Sequence, residues 1–108
     1  YPYTGEMGVL ARTFTNVYLD FTWMVMLSPL ACARCLGEWL QLVPSNKIMH
    51  GTDVHTAEDM YSISKRIRKV LAEVLGDLLQ NWHLKEKDAI RIAQQILRDN
   101  AIEVYKLK

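Results

Sequence analysis

Three side chains able to bind a metal or move a proton stand within six residues of one another: His50, Asp53 and His55, in the stretch Lys47-Ile48-Met49-His50-Gly51-Thr52-Asp53-Val54-His55. A carboxylate beside a metal-bound water is well placed as a general base, because the metal lowers the water's pKa towards neutrality and the acid relays the proton. The short apolar run Lys47–His50 leads into Gly51-Thr52-Asp53, and a long amphipathic helix begins a few residues later. The stretch therefore reads as a strand ending in an acid and handing over to a helix. In parallel α/β folds the loops after the strand C-termini form the site, so Asp53 is the first candidate for catalysis or metal binding. On these residues alone, a loop acid capping the next helix is an equal reading. A three-ligand site made of His50, Asp53 and His55 by themselves is disfavoured, since a strand alternates its faces and all three converge only across a sharp turn at Gly51.

The other candidates are secondary. His55 lies two residues past Asp53 and can face the same mouth, although a loop histidine is more often simply solvated. Asp20 and Trp23 end an earlier apolar run, Val17–Trp23, and are candidates to line a substrate pocket; Trp23 fits the core equally well. For His50 a hydrogen-bonded packing role is expected. Glu58 and Asp59 read as first-turn helix acids, and His83, in a helix–helix turn, is assigned no role. Cys32 and Cys35, as Cys-Ala-Arg-Cys inside a predicted helix, have no second pair to complete a zinc site and lack the strand-to-helix setting of a redox motif. They are expected to be free, buried and reduced.

Composition narrows the classes further. Half of the 108 residues are hydrophobic, enough for the core of one domain, and 13 basic against 12 acidic residues give a net charge of +1. The charges alternate on helix faces without forming a stripe, so neither nucleic acid nor an anionic membrane is implied as a partner, and Lys65–Lys69 reads as a solvated face. The longest apolar stretch, Phe21–Leu36, is broken by Thr22, Ser28, Pro29 and Arg34 and falls short of the roughly 20 apolar residues that span a bilayer. The first residues lack the pattern of a signal peptide, and a soluble cytoplasmic protein is expected.

Periodicity supplies the elements. A short helix is predicted over 5–13, a buried parallel strand over 17–23, and a helix over 29–42 with Ser28 as N-cap and Pro29 at its first position. Met24–Leu27 extends the strand or lines a loop. The second helix should bury Leu30, Cys32 or Ala33, Leu36, Trp39, Leu40 and Val43. A second strand is predicted over 47–51, then a long helix over 57–82, N-capped by Thr56, whose apolar face runs from Met60 through Ile63, Ile67, Val70, Leu71, Val74, Leu75, Leu78 and Leu79 to Trp82. Helices over 85–107, interrupted at Asp99-Asn100, close the chain. The fold class is α/β, with two parallel strands in a mainly helical chain.

Asn16-Val17-Tyr18-Leu19-Asp20 as one strand, Pro44–Asp53 as the next, a long helix, and then Ile96-Leu97-Arg98-Asp99-Asn100-Ala101 with Tyr105 resemble the C-terminal part of an amidohydrolase-related, metal-dependent hydrolase. The opening Tyr1-Pro2-Tyr3-Thr4-Gly5-Glu6-Met7-Gly8 is most similar to the branch fused to glutamine synthetase in nodulin-like proteins. The resemblance implies a (β/α)8 barrel of about 250 residues, with this chain as its closing third, a single partial domain. Two strands cannot close a barrel. The chain is accordingly expected to be a fragment, in keeping with its lack of an initial Met, or else a small protein pairing its strand edges across a dimer.

The resemblance also implies a divalent metal in the complete protein, zinc being the usual occupant, held by histidines of early strands that lie outside this sequence. None is expected on this chain alone. Asp53 matches the aspartate at the end of strand eight, which binds metal or shuttles the proton from water to the leaving group. A small-molecule substrate with a C–N or related bond is implied, a γ-glutamyl amide being suggested by the branch. A non-oxidative decarboxylase on the same scaffold is the nearest alternative, and a non-catalytic helical interaction module is the alternative from a different class. The expected partners are the remainder of the barrel or a second copy covering the exposed strand edges.

Overall fold

Local signals decide where the helices begin. Ser28 accepts a hydrogen bond from the Ala31 amide at 3.1 Å with Pro29 next to it, and Thr56 accepts one from the Asp59 amide at 3.1 Å. Each satisfies an amide that has no partner inside its own helix. In the computed structural model, which describes residues 2–107, the elements in chain order are α1 (Thr4–Thr13), β1 (Leu19–Asp20), α2 (Met24–Leu27), α3 (Pro29–Leu42), β2 (Ile48–Met49), α4 (Ala57–Asn81), α5 (Glu86–Gln94) and α6 (Asn100–Tyr105). A 3₁₀ turn, Ser45–Lys47, precedes β2, and a π-helical turn, Gln95–Asp99, joins α5 to α6. The chain is mostly helical, with one two-stranded parallel sheet in which Leu19 pairs with Ile48 and Asp20 with Met49.

Both strands are shorter than the predicted 17–23 and 47–51. After Asp20 the chain is turned aside, because the Asp20 carboxylate accepts from the Thr22 amide at 2.7 Å and the Thr22 hydroxyl at 2.5 Å. Trp23 then takes a left-handed conformation (φ 67°) as N-cap of α2, so Met24–Leu27 is a helical turn, neither strand nor loop. At the other strand the 3₁₀ turn occupies Lys47, leaving only Ile48 and Met49 to pair.

The core lies between the sheet and α3 and α4, with Leu19, Ile48, Phe21, Leu36, Ile67 and Leu71 almost wholly buried. Of the α3 positions expected inside, Cys32, Leu36 and Trp39 are buried together with Cys35, whereas Leu30, on the first turn, is 62% exposed. The α4 stripe from Ile63 to Leu78 is buried, but its ends leave the core: Met60 is 53% and Trp82 62% exposed. The buried stripe stops short of both ends of this 25-residue helix. The two cysteines are free, and burial pushes the Cys32 thiol up to about 11 and the Cys35 thiol to about 12.

Further contacts tie the helices to one another and to the sheet. α1 lies so close to α3 that a Cβ at Gly8 would come within 2.8 Å of Leu42 Cδ1, and Trp39 Nε1 donates to the Thr4 carbonyl at 2.8 Å. Lys47 Nζ donates to the carbonyls of Ala11 and Phe14, at 2.6 Å each, at the C-terminal end of α1 where a cation complements the helix dipole. The chain is not broken at Asp99-Asn100 as the sequence suggested. It passes through the π turn into α6 and carries Asn100 inward, only 2% exposed, to donate to the Ser45 carbonyl at 2.7 Å and the Ile48 carbonyl at 2.8 Å. Among the described residues no helix is long and apolar enough to cross a membrane.

Candidate active site at the ends of the strands

Because β1 and β2 are parallel, the segments that leave them emerge at the same end of the sheet. Two ties hold these segments together. In the first, Asp20 Oδ1 accepts from the Gly51 amide at 3.2 Å while also accepting from Thr22. A Cβ on Gly51 would lie 2.5 Å from Thr22 Oγ1 and 3.1 Å from Asp20 Oδ2. A side chain therefore fits at position 51 only if Thr22 or Asp20 moves.

The second tie carries the candidate acid. Asp53 is exposed, and its backbone is left-handed (φ 49°). Trp23 Nε1 donates to Asp53 Oδ2 at 2.8 Å and, more weakly, to the Asp53 carbonyl at 3.1 Å. Trp23 is 43% exposed and so is not the core residue its type allowed. Two non-glycine residues in a sparsely populated backbone region thus bond each other across 30 positions of sequence, and such conformations persist where the surroundings over-determine them.

The remaining candidates are placed less informatively. His55 is exposed on the bend before α4. His50 stacks on Phe21, with ring centroids 5.2 Å apart and planes 19° from parallel. Both of its ring nitrogens are buried without a hydrogen-bond partner, so the expected hydrogen bond is missing. Burial lowers its pKa below the ordinary imidazole value; Asp20 opposes that shift and Arg68 adds to it. His83 is exposed in the turn after α4. Among the described residues no three His, Cys, Asp or Glu side chains are grouped to hold a metal. Asp53 by itself would offer such a site one carboxylate. A groove of about 610 Å³ between α3 and α4, lined by Arg34, Glu38, Glu73 and Asp77 over Val74 and Leu78, lies apart from these residues.

Thr22 and Gly51 drew no functional reading from the sequence. The signal for Thr22 is Asp-x-Thr after an apolar run, in which an aspartate bonds the backbone two residues on. That for Gly51 is a glycine straight after a buried strand, a frequent mark of close backbone approach.

Over 109 aligned positions, covering 99% of the chain, the sequence is 36% identical to a protein of Emericella nidulans named fluG. The chain spans 13% of that relative's length. No family model and no solved structure matches the chain.

Proposed function

We propose that this chain is the closing third of a (β/α)8 barrel and that the complete protein is a metal-dependent hydrolase of the amidohydrolase class, acting on a C–N or similar bond. The observation that carries the proposal is Asp53, an exposed carboxylate fixed by Trp23 where two parallel strands deliver their outgoing segments. Loops at the strand C-termini are where parallel α/β enzymes keep their chemistry. Alignment over nearly the whole chain with 13% of a much longer relative supports reading it as part of a larger protein.

In this reading Asp53 contributes one oxygen towards a divalent metal, zinc in the first instance, whose other ligands come from earlier strands. When bound, the metal supplies a water of lowered pKa and polarises the scissile group. Asp53 would serve as the proton carrier, accepting a proton from the attacking water and returning it to the leaving nitrogen. Asp20 and Thr22 act by holding Gly51, and with it the start of the Asp53 loop. His55, exposed two residues beyond, is free to contact a small-molecule substrate.

The test is Asp53→Asn in the full-length protein. Its amide keeps the size of the side chain but cannot accept and return a proton, so turnover of C–N substrates should fall by about 10²–10⁴-fold with the melting temperature little changed. Unchanged turnover would remove Asp53 from the reaction.

A further inference from the structure

The charges of α4 that look mixed in sequence order fall into a stripe once they are placed on the helix. Lys65, Lys69, Glu73 and Asp77 follow one another at steps of four, and all of them are exposed. Residues four apart stand one above the other and form a ridge, so the two cations hold its N-terminal half and the two carboxylates its C-terminal half. Within a single chain this order is unfavourable. Like charges four apart repel, and a lysine placed N-terminal to a glutamate is the weaker orientation of that pair. Among the described residues the ion pairs are Arg91 with Asp88 and Arg98 with Asp99, so none of the stripe is used inside the chain. Asp77 Oδ1 accepts from Asn81 Nδ2 at 2.7 Å, a neutral donor that leaves its charge uncompensated.

The order is, however, complementary to its own reverse. Lys69 with Glu73 and Lys65 with Asp77 are both centred on Leu71, so a second stripe running the other way sets every cation against a carboxylate. The acidic half also borders the groove between α3 and α4, where Glu38 adds a carboxylate, Arg34 offsets one charge, and Val74 and Leu78 line the floor. A lysine stem can lie on such a floor with its ammonium among the carboxylates.

We propose that α4 is a contact between two copies of this protein, packed antiparallel about a two-fold axis so that Lys65 and Lys69 of each copy meet Asp77 and Glu73 of the other. A two-fold contact uses the same patch on both copies, as this stripe allows. Ridges of residues four apart align when two helices cross at about 50°, which lays one stripe along the other. Exposed ion pairs fix register and choice of partner more than strength. Neither the stripe nor the groove involves Asp53, so this contact is independent of the hydrolase reading.

The experiment treats the full-length protein with a carbodiimide, which couples a lysine amine directly to a carboxylate in contact with it, and identifies the linked peptides by mass spectrometry. On one helix Lys65 and Asp77 are about 18 Å apart, so a link between them arises only between copies. That link is the expected result in wild type. Lys69→Glu places a carboxylate opposite Glu73 on both sides of the axis and should lose the link, and Lys69→Glu combined with Glu73→Lys should regain it. Absence of the link in wild type, or coupling of Lys65 to carboxylates of another surface or another protein instead, overturns the proposal. So does a link that survives Lys69→Glu undiminished, or one that the double exchange fails to restore. Should a variant not fold, the wild-type link decides by itself.

Discussion

The Gly51 amide donates to Asp20 Oδ1 at 3.2 Å, joining the residue that follows β2 to the last residue of β1. This bond extends the two-residue ladder by a side-chain contact and brings the loop carrying Asp53 against the loop carrying Trp23. Only a residue without Cβ fits there as the site stands.

Gly51→Ala should therefore destabilise the protein by about 1–3 kcal/mol, the usual cost of forcing an extra methyl group into a packed site. Thr22→Ala removes the atom that lies closest to that methyl. In a double-mutant cycle by chemical denaturation, the two substitutions together should cost less than the sum of the two alone. Additive effects would mean that Gly51 is required for some reason other than Thr22.

Asn100 holds the opposite end of β2. Asn100→Ala leaves the Ser45 and Ile48 carbonyls without their donor and should cost about 1–3 kcal/mol. Asn100→Asp, which points a buried carboxylate at those same carbonyls, should cost more. Equal stability of the two variants in urea titrations would contradict this account.

The helix starts were legible in the sequence because capping is local: Ser28-Pro29 and Thr56 announce α3 and α4 within one turn. The strands are shorter than their composition implies. The β-branched and aromatic run Val17–Trp23 carries the composition of a strand, but the Asp20–Thr22 turn ends it, and composition does not register a hydrogen bond that a side chain accepts from the backbone two residues on. Asp53 was visible as an acid closing an apolar run. Its link to Trp23 was not, since 30 residues separate the two and no pattern of spacing records a contact between loops. Leu30, Met60 and Trp82 kept the helical period yet lie outside the core, because a periodic stripe marks a face without saying how far along it the neighbours reach.

His50 makes the chain sensitive to acid. Its folded pKa lies below the ordinary value of 6.5, so its contribution to stability is present above that pH and is lost as pH falls through the folded value. His50→Phe keeps a ring to stack on Phe21 and removes two unpartnered nitrogens. In this chain it should raise stability, by about 1–3 kcal/mol, and flatten the acid limb of the stability profile. Lower stability of the variant at pH 7 would show that the imidazole has a partner.

The thiols act at the other end of the pH scale. The folded values of Cys32 and Cys35, about 11 and about 12, exceed the ordinary 9.0, so their contribution is full below pH 9 and is lost as pH rises towards 11 and 12. Native protein at pH 8 should leave a thiol reagent unreacted, and two thiols per chain should react on unfolding. Prompt reaction of either in the native state would contradict their burial.

Exposed Met7, Leu10 and Phe14 follow helical spacing along α1 and its C-cap, and among the described residues each strand bonds one neighbour. Expressed alone, the chain should self-associate, and Leu10→Glu should shift it towards monomer in sedimentation velocity. A monodisperse monomer of the wild-type chain would show that these surfaces need no cover.

The most direct test of the whole account is a crystal structure of the full-length protein. The account predicts that β1 bonds a further strand on the side away from β2, that β2 closes on the first strand of the barrel, and that Asp53 faces a metal held by histidines of the earlier strands. A two-stranded sheet with both outer edges unpaired, and Asp53 open to solvent with no metal beside it, would contradict it.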